Sequence, residues 1–196
     1  MMVPMRKTAL AATLFLGGVM ILATVLTPSC HKSSGAGGGP TFYDSIGGTV
    51  LVTDPANYGQ TVEQGYLTIR TIVDTALVII QTDTLINGYF SIMVNEDTLH
   101  AVPTEYDKLS LNITNFLAVA AGAKDYSYTG LDMFAAHNPD SNAYILTPVD
   151  SAAFNEFAYD LGFSASHVAP PYTLSSQLTS QLGHLLYRYE GQIVPQ

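Results

Sequence analysis

Residues 109–137 read LSLNITNFLAVAAGAKDYSYTGLDMFAAH, and this stretch decides the fold. Leu109, Ile113, Phe116, Leu117 and Ala120 recur at i, i+4, i+7, i+8 and i+11, which is one face of an α-helix. Gly122 stands where that helix would end, because glycine accepts the left-handed backbone of a helix C-terminus. Further on, Met133 and His137 are four residues apart, so a helical turn would place both side chains on one face.

The flanking segments point the same way. Ile69, Ile72, Val73, Ala76, Leu77 and Ile80 lie at helical spacing, although Ala76 to Ile80 is β-branched enough to be a buried strand. Asp150 is a candidate N-cap for a helix with Phe154, Phe157, Ala158 and Leu161 inward, expected to end at Gly162. Pro170-Pro171 breaks the chain, and Thr173 or Ser175 can start a last helix with Leu178, Leu182, Leu185 and Tyr189 inward. Three of the four longest patterned segments favour helix, so the expected class is all-α.

With 47% hydrophobic and 12% charged residues in 196, the chain is too apolar and too weakly charged for disorder, and its length suits one domain. Sixteen acidic residues against seven basic ones, a formal charge of −9, leave no basic footprint for nucleic acid. No phosphate loop, nucleophile elbow or His-Glu-x-x-His occurs.

The N-terminus reads as an address. Arg6 and Lys7 precede an uncharged apolar stretch from Thr8 to Val25, then Leu26-Thr27-Pro28-Ser29-Cys30, the layout of a secretory signal. Cys30, the single cysteine, resembles the lipid-modified cysteine of bacterial lipoproteins, in the loosened form of the Bacteroidetes type. An uncleaved membrane anchor is the competing reading. The resemblance implies a signal peptide over residues 1–29, a lipidated Cys30 and flexible Gly/Ser linker over 30–40, and a folded domain over 41–196. Export and anchoring to the cell envelope, on the periplasmic or outer-membrane face, would follow. An acylated Cys30 leaves no thiol for a disulfide or a thiolate metal site.

Four local sequences, in order, resemble the group I truncated haemoglobins, the two-over-two globins. They are Phe42-Tyr43-Asp44-Ser45-Ile46-Gly47-Gly48; the segment from Ile72 through Asp83 to Tyr89-Phe90; Leu109 to Gly122 with Tyr128-Thr129-Gly130, Met133 and His137; and Phe154 to the Ile193-Val194 tail. The resemblance covers about residues 42–194, with two insertions, near Thr49–Tyr66 and Ser91–Tyr106. It implies a truncated two-over-two globin fold and a haem b cofactor whose iron is held by His137. Read from the residues alone, His137 is a satisfied histidine at a helix end.

The same resemblance puts Phe90 and Met133 against the haem and makes Leu117 a pocket residue. Leu77, Leu109 and Ile113 fall at distal positions where the family commonly carries donors. A donor stabilises a polarised diatomic ligand by roughly 1–3 kcal/mol, so an apolar distal side argues against high-affinity oxygen storage. Tyr58, Tyr66 or His100, from the insertions, could supply the missing donor. His167 is expected in a loop and His184 on the surface.

The expected function is therefore an envelope globin that binds oxygen, nitric oxide or carbon monoxide at iron on His137. The alternatives are a haem enzyme detoxifying nitric oxide or peroxide, which would need an unidentified reductase, and a haem-free interaction module of the same fold.

Overall fold

The chain divides into two units, residues 1–37 and 38–196. The computed structural model describes residues 39–90 and 105–195. The expected signal, Cys30, most of the expected linker and the core of the second expected insertion, including His100, lie outside the described residues.

The second unit runs α1 (Phe42–Ser45), β1 (Leu51–Thr53), β2 (Thr61–Glu63), α2 (Gln64–Ile80), α3 (Glu105–Ala121), α4 (Met133–Ala136), α5 (Ser151–His167), α6 (Ser176–Tyr187) and α7 (Glu190–Ile193). Residues 87–90 are also helical. Helix α2 packs on both α3 and α5, α5 packs on α6, and α4 meets α7. The predominance of helix agrees with the periodicity, and no described helix is long and apolar enough to cross a membrane.

The ambiguous segment from Ile69 to Ile80 is helical for a physical reason. All six residues of its stripe are buried while Val78, off the stripe, is exposed; a buried strand over 76–80 would have hidden Val78 as well. β-Branched residues lose up to about 0.7 kcal/mol each in a helix relative to alanine, but burying a large aliphatic side chain returns about 1.5–3 kcal/mol. The threonines do not compete, because Thr68, Thr71 and Thr75 each donate to the carbonyl four residues earlier at 2.8 Å.

Helix ends follow local chemistry. Asp150 caps α5 by accepting from the Ala153 amide at 2.8 Å, as expected. Ser175 caps α6. Gly122 ends α3 with φ +106°, and a Cβ there would meet the Thr41 side chain at 2.8 Å. One boundary differs: α5 passes through Gly162 and ends at His167. Ser164 and Ala165 beyond the glycine are buried, so packing holds the helix on until Pro170 approaches. His167 is thus a helix-terminal residue, not a loop one; its ring stacks on Phe163 at 3.9 Å. His184 is exposed, as expected.

The first insertion is an antiparallel hairpin in which Val52 pairs with Val62. Two polar contacts fasten it. Tyr43 of α1 donates to Glu63 Oε2 at 2.6 Å, buried, and Arg70 of α2 donates to Asp54 Oδ1 at 2.6 Å. The insertion's last residues, Gln64 to Tyr66, form the first turn of α2.

Candidate functional site

Helices α3, α4 and α5, the 83–90 segment and the C-terminal helices enclose a cavity of about 220 Å³. Its wall is mainly apolar: Ile86, Phe90, Ile113, Phe116, Leu117, Met133, Phe154 and Phe157 contribute. Phe90 and Phe157 face each other with centroids 6.2 Å apart. Phe116 is fixed edge-on by Tyr128 at 5.6 Å and by Tyr189 at 4.7 Å.

His137 borders this cavity. It is the C-cap of α4, a single turn that starts when Asp132 accepts from the Ala135 amide at 2.9 Å. The His137 Nδ1 lies 2.8 Å from the Met133 carbonyl oxygen. A carbonyl only accepts, so Nδ1 carries the proton and the neutral ring leaves a lone pair on Nε2. Burial pushes the His137 pKa below the ordinary imidazole value, and the bond to Met133 only partly opposes that shift. The ring is therefore neutral at pH 7. A neutral imidazole with one nitrogen fixed to a backbone carbonyl is the form that ligates a metal. Met133 and His137, one turn apart, both line the cavity.

Of the seven residues singled out from the sequence, the structure gathers His137, Phe90, Met133, Ile113 and Leu117 around the cavity. It does not gather Leu77 and Leu109. Leu77 is buried in the interhelical core, and Leu109 packs half-buried against that core. Nor do Tyr58 and Tyr66 reach the cavity. Tyr58 is fully exposed, and Tyr66 stacks on Tyr126 at 4.0 Å while donating to Asn115.

Four polar residues also line the wall: Tyr89 and Tyr128, which the motifs contain without a pocket role, and Asn112 and Asn142, which no motif marks. Tyr128 donates to the Leu131 carbonyl at 2.6 Å and Asn142 to the Ala136 carbonyl at 2.7 Å. Tyr89 and Asn112 bring the remaining polar side chains. Asn112 lies four residues before Phe116 on α3, a signal available only once Phe116 is known to face the cavity.

The donor set and the apolar wall fit a haem. His137 offers a neutral nitrogen, and aromatic and aliphatic side chains make most of the cavity wall.

No protein-family model matches the chain, and no curated protein matches it by sequence. Its structure is similar to the crystal structure of a truncated haemoglobin from Tetrahymena pyriformis, a point mutant in the Fe(III) form. The similarity has a TM-score of 0.55 at 14% identity, covering 80% of this chain and 100% of that one. The fold of the described residues is that of a truncated globin.

Proposed function

We propose that this protein is a haem-binding globin of the cell envelope, holding haem b iron through His137 Nε2 and binding small diatomic ligands. The observation that carries the reading is the His137 Nδ1–Met133 bond at 2.8 Å, which leaves a neutral, metal-competent nitrogen beside an apolar cavity. The truncated-globin fold supports it.

The wall residues divide the work. Met133 fixes the tautomer through its carbonyl and packs its thioether against the cavity. Phe90 and Phe157 form a wall against which a planar ring would lie, and Leu117 and Phe154 keep water from it. The iron, when bound, supplies an open coordination position for oxygen, nitric oxide or carbon monoxide. Export and attachment through a lipidated Cys30 belong to the same reading and rest on the N-terminal layout.

Haemin added to the full-length chain in neutral detergent tests it. A saturable Soret shift at one haem per chain, altered in His137→Ala and restored by added imidazole, is expected. A folded protein giving no saturable shift would instead make the domain a haem-free interaction module. Labelled palmitate incorporated into the parent and not into Cys30→Ser would establish the anchor.

A further inference from the structure

Three carboxylates that take no part in the cavity lining meet between the turn after α2 and helix α5. Asp83, in that turn, faces Glu156 and Asp160 on α5, and one oxygen from each lies within 4.8 Å of the others. Asp160 is only 4% exposed. Its Oδ2 is buried and has no hydrogen-bond partner among the described residues. A buried carboxyl with an unpartnered oxygen, grouped with two more carboxylates, is an arrangement that folding opposes unless a proton or a cation compensates it. The strain shows in Asp160, whose carboxyl is pushed up to about 6 by burial first and by Asp83 and Glu156 next.

We propose that Asp83, Glu156 and Asp160 bind a hard divalent cation, calcium by preference. An all-oxygen set with no nitrogen or sulfur selects hard ions. Opposite oxygens around calcium stand roughly 4.6–5.2 Å apart, twice its usual ligand distance, so the three oxygens fit within one coordination sphere. Asp83 is already held in place, because its Oδ1 accepts from the Leu85 amide at 2.8 Å and so fixes the turn. Asp83 and Glu156 are half-buried, which leaves room for water to complete the shell.

The site joins two pieces that also build the cavity. Asp83 opens the segment carrying Ile86 and Phe90, while Glu156 and Asp160 share α5 with Phe154 and Phe157. A cation there would clamp the two aromatic walls together. The proposal does not depend on haem.

The test is thermal unfolding and titration calorimetry of the full-length chain in detergent, stripped of metal and then given calcium chloride or sodium chloride of equal ionic strength. The expected result is one calcium per chain and a melting temperature raised by about 5 °C or more at a hundredfold excess over Kd. Asp160→Asn should melt at or above the calcium-free parent and lose the calcium shift. Glu156→Gln, at a less buried position, should weaken binding at least tenfold. Asp125→Asn, which removes an exposed charge elsewhere, should keep the shift. Absence of saturable binding, or an equal shift in Asp160→Asn and the parent, overturns the site.

Discussion

His137 and Met133 are joined twice: by the hydrogen bond from Nδ1 to the Met133 carbonyl at 2.8 Å, and by the cavity that both side chains border. The first link sets the proton and the second sets the direction. Replacing His137 with alanine removes the lone pair but little packing, since the ring is half-buried. The expected outcome is a loss of haem affinity of at least about tenfold, given that even outer-shell changes cost 10–100-fold. The melting temperature of the haem-free protein should change little. Absorption titration and calorimetry on one preparation check both halves.

Gly122 and Thr41 bring a second prediction. Gly122 ends α3 at φ +106° with the Ala123 amide bonded back to Ala118 at 2.9 Å, and a Cβ would strike Thr41. Gly122→Ala combines a left-handed backbone penalty with that clash, together about 1–3 kcal/mol. For a domain this size the melting temperature should fall by roughly 2–4 °C per kcal/mol. Gly88, where a Cβ would meet nothing within 4 Å, is the control position, and Gly88→Ala should be near neutral.

What could be read from the sequence divides along a physical line. Helical stripes were legible because burial is periodic, and so were the cap at Asp150 and the stop at Gly122, because each follows from one residue's chemistry. His137 stood out through its spacing from Met133 and the resemblance of the surrounding motif. Leu77 and Leu109, which an ungapped alignment puts at distal positions, do not border the cavity: Leu77 lies in the interhelical core and Leu109 packs against it. Asp54 and Glu63 went unmarked, since their partners Arg70 and Tyr43 lie 16 and 20 residues away. The three-carboxylate cluster was invisible for the same reason.

Tyr89 and Asn112 bring to the cavity wall the donors that the apolar Leu77/Leu109/Ile113 set lacks. Both line the wall, and both can donate. The double variant Tyr89→Phe/Asn112→Ala, loaded with haem, should lose oxygen affinity about five- to tenfold while carbon monoxide affinity stays nearly constant, because one donor to a polarised ligand contributes about 1–1.5 kcal/mol. Flash photolysis of both ligands gives the ratio. An unchanged ratio would show that neither side chain donates to the ligand.

Asp54 and Arg70 make the hairpin's attachment sensitive to acid. Donation from Arg70 is the largest influence holding the Asp54 carboxyl far below the usual range, followed by Asn57 and the Ala56 amide. A carboxylate depressed in the folded state stabilises the fold above its unfolded pKa of about 3.9, and that contribution is lost as pH falls below it. The parent should therefore lose stability steadily below about pH 4. Asp54→Asn, which cannot ionise, should melt lower than the parent at pH 7 and show a gap that narrows as pH drops through this window. Melting curves of both proteins between pH 7 and pH 2 check the sign. A gap that stayed constant with pH would mean that Asp54 holds the hairpin by shape and neutral hydrogen bonds, with its charge contributing nothing.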